Sequence, residues 1–156
     1  MDKWLSRAAN ISIIAIAISA VFVVTRPRNV SQPQPGYQVG DTLDLSKLSL
    51  TGDTLLIATR STCRFCTESM ELYRSLAGAN IVWVAVDEDV AKNRQYLLDH
   101  GLAPGAVHTQ SELALSELSI TPTIVAVNAK GVVRNTWVGR LPADRAAEVR
   151  SSIGSR

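Results

Sequence analysis

The sequence predicts an α/β domain, a mixed central sheet flanked by helices, preceded by one N-terminal transmembrane helix. Three observations lead there. From Leu55 onward, short apolar runs alternate with stretches of helical periodicity, the pattern of strands alternating with helices. Late in the chain Asn128-Ala129-Lys130-Gly131 separates two β-rich runs, so at least one strand pair closes as a hairpin. At the other end, no charged residue occurs from Ala8 to Thr25.

As a helix that uncharged run would span about 27 Å, enough to cross a hydrocarbon core. Trp4, just before it, suits the membrane–water interface. A cleaved signal peptide is the rival reading, with Ala17-Ile18-Ser19 as its small residues. Apolar Val21-Phe22-Val23-Val24 continues beyond that point, which favours an uncleaved anchor over residues 1–25. Lys3 and Arg7 lie on one side and Arg26 and Arg28 on the other, so charge barely orients it. Residues 26–38 hold Pro27, Pro33 and Pro35 among Ser, Gln and Gly. They read as a semi-rigid spacer reaching roughly 40 Å at most, with the folded domain over 39–156. Net charge is +2, and the chain has no basic stripe interleaved with aromatics, so nucleic acid is not an expected partner.

Within the domain, Leu55-Leu56-Ile57-Ala58 reads as a compact strand running into Arg60-Ser61-Thr62-Cys63. A helix is expected over Cys66 to Leu76, with Leu72, Tyr73 and Leu76 on its buried face and Gly78 as its stop. Ile81 to Val86 is nearly continuous in apolar residues, as in a parallel strand covered on both faces. Asp87-Glu88-Asp89 opens a helix to about Asp99, the acids lying at its positive end, and His100-Gly101 closes it. A short strand at Ala106-Val107 and a brief helix over Glu112 to Leu118 come next. Thr121 to Val127 is a strand entered through Pro122. Past the hairpin turn, Val132 to Val138 pairs with it. Pro142 suits the start of the last helix, where Ala146, Val149 and Ile153 share a face. Trp83 and Trp137 fall in strands and read as core.

Cys63-Arg64-Phe65-Cys66 holds the only two cysteines. Structural zinc needs about four ligands, and no second CxxC or HxxxH is present. A structural bridge this short removes little entropy from the unfolded chain. Two thiols at a helix start instead suggest a two-electron switch. Free N–H groups and the helix dipole would stabilise a thiolate on Cys63, with Arg64 and Arg60 adding positive potential. Cys63 is then the nucleophile, and Cys66, one turn in and more buried, resolves the mixed disulfide. Such chemistry needs no cofactor beyond the Cys63–Cys66 disulfide.

With these residues in view, the chain resembles the thioredoxin superfamily, and most of all its membrane-anchored, TlpA-like redoxin branch. The likeness runs from about Gly40 to Ile153. It rests on Gly40-Asp41-Thr42-Leu43 with Leu45 to Leu50 before the first strand, then on strand-then-CxxC. Further along it rests on Glu112-Leu113-Ala114 through Ile120-Thr121-Pro122-Thr123-Ile124, and on Asn128 to Val133 with Gly139. The resemblance implies a thioredoxin-like fold and a cis Thr121–Pro122 bond that brings Thr121 beside the dithiol, where its backbone could pair with an extended substrate. From the residues alone a trans proline at a strand's first residue is the plainer reading, since cis bonds are a small minority of X–Pro.

It also implies protein disulfide or dithiol substrates and a membrane electron donor or acceptor. The expected location is a bacterial-type inner membrane, crossed once by residues 8–25, with the catalytic domain on the periplasmic side. The expected activity is reduction of disulfides in specific extracytoplasmic proteins, as in cytochrome or metalloenzyme maturation. Cys66-Thr67 excludes a CxxCH haem attachment site.

Two departures stand out. Thr62 replaces the tryptophan common before the first cysteine. The strand Leu55 to Thr59 lacks the buried carboxylate that relays protons in many relatives; Glu68 or Glu71 is the nearest substitute, and solvated acids near a helix start are the plainer reading. His100 and His108 keep a copper-binding or metallochaperone module as an alternative, since soft thiolates select copper. A dithiol oxidase and peroxide reduction are the others.

Overall fold

The computed structural model describes residues 36–154. The expected anchor and nearly all of the expected spacer lie outside the described residues. Among the described residues, no helix is long and apolar enough to cross a membrane. Tyr37 is already part of the packed body: it is buried with Leu43, Leu113 and Val133, and its carbonyl accepts from Thr136 Oγ1 at 3.3 Å.

The elements are β1 (Thr54–Thr59), α1 (Arg64–Glu68), α2 (Met70–Ser75), β2 (Ile81–Ala85), α3 (Val90–Asp99), β3 (Ala106–Thr109), β4 (Thr123–Val127), β5 (Val133–Val138) and α4 (Ala143–Gly154). The strands form one five-stranded sheet in the order β3-β2-β1-β4-β5. β1 pairs with β2 in parallel, and β2 with β3 likewise. On the other side β4 and β5 run antiparallel. The sheet changes direction at β4, which runs antiparallel to β1 after the irregular segment that follows β3. A helical crossover returns the chain to lie parallel, whereas the tight turn at Asn128–Gly131 can only reverse it.

Side chains alternate across the sheet with period two. Leu55, Ile57, Trp83, Ala85, Ile124 and Ala126 face one core with Met70, Tyr73, Leu97 and Val149 from the helices. Leu56, Ala58, Val82, Val84, Val125 and Val127 face a second core, closed by Leu43, Leu45, Leu113, Leu115 and Leu118 from irregular segments. Both expected core tryptophans are there, Trp83 at 4% and Trp137 at 1% exposure. Gly131 makes the hairpin turn at φ +76°, and a β-carbon on it would meet the Leu43 carbonyl oxygen at 2.5 Å. Only glycine fits both demands.

Two expected helices differ in the structure. The helix expected over Cys66 to Leu76 is two short helices that break at Ser69. Its hydroxyl donates back to the Phe65 carbonyl at 2.8 Å, a back-bond that bends helices. The helix expected over Glu112 to Leu118 is a run of turns. Thr109 and Glu112 form a reciprocal capping box, with Glu112 N–H donating to Thr109 Oγ1 and Thr109 N–H to Glu112 Oε2. That arrangement normally starts a helix, but Ala114 turns left-handed at φ 52° and stops propagation at once.

Tyr73 lies edge-on to Trp83, with ring centroids 5.4 Å apart, and its buried hydroxyl makes no hydrogen bond of good geometry. Burial pushes this phenol well above its ordinary value, with Ser69 opposing in part and Tyr96 adding to the rise. The unfolded chain therefore releases the proton first. The stabilisation is fully present below pH of about 10 and is lost as pH rises beyond it. Tyr73→Phe should match or exceed the parent at neutral pH, by up to about 1 kcal/mol, and lose less stability at alkaline pH. Urea titrations at both pH values check this, and equal alkaline losses would count against it.

Candidate active site

β1 ends at Thr59, and a turn closed by Cys63 N–H to the Arg60 carbonyl (3.0 Å) delivers the chain to α1. Cys63 is the N-cap of α1, in extended backbone geometry (φ −86°, ψ 107°). Its Sγ accepts from the Cys66 N–H at 3.1 Å, so the sulfur takes the place that a serine or aspartate oxygen takes in ordinary caps. The two cysteines are joined as a disulfide, with Cα atoms 5.2 Å apart. Cys63 is half-buried at the surface, whereas Cys66 is wholly buried in the helix-side core. An incoming group therefore meets Cys63 and not Cys66.

The second half of the site comes from the segment that enters β4. The Thr121–Pro122 bond is cis, and the Thr121 carbonyl oxygen lies 3.4 Å from Cys63 Sγ. Pro122 is buried, and its carbonyl accepts from Gly139 N–H at 2.7 Å. Thr123 Oγ1 donates to the Ile120 carbonyl at 2.8 Å, which pins the approach to the proline. Phe65, between the cysteines, is 54% exposed, and Ile120 is 39% exposed. Exposed apolar side chains next to a disulfide favour contact with a peptide.

Charge around the site is shared out. Arg64 and Glu68, the pair to which the sequence assigns a tuning role, bond to each other, Arg64 donating to Glu68 Oε1 at 2.8 Å, and Arg140 lies 3.5 Å from Glu68 Oε2. Glu68 is thus bracketed by two exposed cations. Arg60 pairs with Asp87 and donates to the Val86 carbonyl at 3.1 Å.

The structure does not bring the histidines to the sulfurs. His108 lies on β3, separated from β1 by β2, beside Glu112 at 3.8 Å. His100 follows α3, with Nδ1 2.8 Å from the Tyr96 carbonyl. Among the described residues, no three or more His, Cys, Asp or Glu side chains group so as to hold a metal ion. Asn93 and Glu88 are neighbours of the active loop that sequence reasoning missed. Asn93 is wholly buried and bonded to Thr59, and Glu88 bonds to Ser61. One signal was available: an Asn inside an otherwise ordinary amphipathic helix.

No family model and no curated protein matches this chain. Solved structures do. A Chlorobium tepidum protein described as the thiol:disulfide interchange protein DsbE superposes with a TM-score of 0.57 at 19% identity, covering 76% of this chain and 96% of that one. The fold is thioredoxin-like. The peroxidoxin BcpB of Mycobacterium tuberculosis gives 0.56 at 16% identity, covering 76% and 98%. A Neisseria meningitidis protein described as a thioredoxin gives 0.52 at 22%, covering 68% and 77%. At such identities the likeness carries the fold alone. In this chain that fold sets the Cys63–Cys66 turn after β1 against the loop that carries the cis Thr121–Pro122 bond.

Proposed function

We propose that this protein is a thiol–disulfide oxidoreductase that works through Cys63 and Cys66. The observation that carries the reading is the asymmetry of the pair: a half-buried Cys63 that caps the helix against a fully buried Cys66, with the Thr121 carbonyl 3.4 Å from the outer sulfur. The solved structures described as a thioredoxin and as a thiol:disulfide interchange protein support it.

In the reducing direction, the Cys63 thiolate attacks one sulfur of a substrate disulfide. The substrate S–S bond breaks, its second sulfur leaves as a thiolate, and a Cys63–substrate disulfide forms. Cys66, having lost its proton, attacks Cys63 Sγ. That step closes the Cys63–Cys66 disulfide and releases the other substrate thiolate, so two electrons pass to the substrate. An external dithiol, in our reading a membrane protein, reverses the cycle and recharges the pair. The Cys66 N–H that reaches Cys63 Sγ would stabilise the thiolate each time it forms. Thr121 offers backbone groups to an extended substrate, and Pro122 aims that loop at the sulfur.

Residues 8–25 anchor the protein in a bacterial-type inner membrane, and residues 26–38 hold the domain off it on the periplasmic side. Disulfide exchange on protein substrates belongs in that compartment, and disulfides of maturing cytochromes or metalloenzymes are the substrate class. Peroxide reduction is a second reading, favoured by the likeness to a peroxidoxin. Consumption of hydrogen peroxide coupled to a thiol donor would select it.

Cys66→Ser should accumulate mixed disulfides on Cys63 with extracytoplasmic proteins, visible as adducts that collapse with reductant, while Cys63→Ser should form none. Failure of Cys66→Ser to form adducts, together with no reduction of insulin by the parent, would remove the reading. In a bacterial host the full chain should stay with the membrane after alkaline washing. A soluble form lacking residues 1–25 would instead support a cleaved signal.

A further inference from the structure

Three acids follow β2, and each has a different task. Asp87 adopts a left-handed turn at φ 52° and pairs with Arg60. Asp89 caps α3 by accepting the Lys92 N–H at 2.8 Å. Glu88 turns inward, its side chain only 4% exposed. It accepts from Ser61 N–H at 2.8 Å and from Asn93 Nδ2 at 2.7 Å, both on Oε1, and from Ser61 Oγ at 2.6 Å on Oε2. The Lys92 ammonium lies 3.7 Å from Oε2.

A carboxylate taken out of water is costly unless donors and a cation satisfy it. Here they do, and two of the three donors come from Ser61, two residues before Cys63. Asn93 extends the tie to the end of β1, donating to the Thr59 carbonyl at 3.2 Å and exchanging bonds with the Thr59 hydroxyl. Every residue from Thr59 to Ser61 is thereby gripped from the segment that follows β2.

The geometry points to Glu88 as a positioning residue for Cys63: its carboxylate locks Ser61, and through Ser61 and Thr62 it holds Cys63 Sγ against the Cys66 N–H. This inference rests on Cys63 being the attacking thiol. Shape, not charge, performs the task. Oε1 receives both N–H groups; Oε2 receives the Ser61 hydroxyl, which rotates to accept from an amide, and faces the exposed Lys92 ammonium, which can turn to water. Glutamine therefore preserves all three contacts, and alanine preserves none. A field effect has the opposite signature, since an anion near a thiolate disfavours it and removing the charge would favour it. The other charges at this end are Arg60, Arg64, Glu68 and Arg140 around the site, with Asp87, Asp89 and Lys92 beside Glu88.

The test is the pH profile of Cys63 alkylation in the reduced full chain, read by peptide mapping. Near-ultraviolet circular dichroism of the buried tryptophans reports folding. Glu88→Ala should raise the midpoint by about one pH unit, slowing alkylation at neutral pH roughly tenfold. Ser61→Ala should move it the same way by less, and the double variant no further than Glu88→Ala alone. Glu88→Gln should keep the parent midpoint.

A lowered midpoint in Glu88→Gln, or a folded Glu88→Ala with the parent midpoint, overturns the inference. If Glu88→Ala does not fold, Ser61→Ala decides, and an unchanged midpoint there overturns it. Insulin reduction by the parent is measured alongside. Its absence would remove the oxidoreductase reading while leaving the alkylation comparison to stand or fall by itself.

Discussion

The double pairing of β1 is the constraint on which the rest of this structure depends. β1 lies in the middle of the sheet, and all six of its residues are buried. Its register sets Ala58 opposite Thr123 of β4 and Thr59 opposite Ala85 of β2. The residues just beyond those pairs are the ones that matter. On the β4 side they are Thr121 and Pro122, beside Cys63; on the β2 side they are Val86 to Glu88, bonded to Arg60 and Ser61. A slip of one residue in either pairing would turn each inward side chain to the opposite face. Leu56 and Ala58 pack in one core and Ile57 in the other, each with no exposed surface, so a slip would force side chains of different shape into both cores. Burying a leucine or isoleucine is worth about 1.5–3 kcal/mol apiece.

From that register the site acquires a rigid half and an open half. The rigid half is Cys66 in the core and the Thr59–Asn93–Glu88–Ser61 hydrogen bonds. The open half is Phe65, Ile120 and the outer face of Cys63, where a peptide can approach. Exchange chemistry needs both. The attacking sulfur has to be reachable, and the resolving sulfur has to be withheld until a mixed disulfide forms. Glu68 offsets only one of the two cations that bracket it, Arg64 and Arg140, so the rim stays weakly positive.

Much of this was legible in the sequence, for identifiable reasons. Strands that are apolar on both faces, such as Ile81 to Val86, leave little choice of structure, and Asn128 to Gly131 admits little but a tight turn. The cysteine spacing marked the two residues that the structure joins as a disulfide, and the family resemblance, not the residues alone, marked the cis bond at Pro122. The errors arose where a local signal met a backbone event. Thr109 and Glu112 do form a capping box, yet Ala114 ends the helix they begin. Ser69 looked like an ordinary helix residue until its hydroxyl bonded backwards to Phe65. Asp87, Glu88 and Asp89 read as three equivalent acids at a helix start. Only the left-handed turn at Asp87 separates their directions, and an alanine or aspartate at positive φ leaves no mark in composition.

The central claim is that Cys63 and Cys66 form a reversible two-electron couple in the folded protein. Equilibrating the full chain in glutathione buffers of graded potential, and counting free thiols by mass, tests it most directly. The account predicts one reversible two-electron transition between about −120 and −300 mV, with the fold intact on both sides. A pair that stays oxidised throughout that window, or that reduces only as the protein unfolds, would make the disulfide structural and contradict the account.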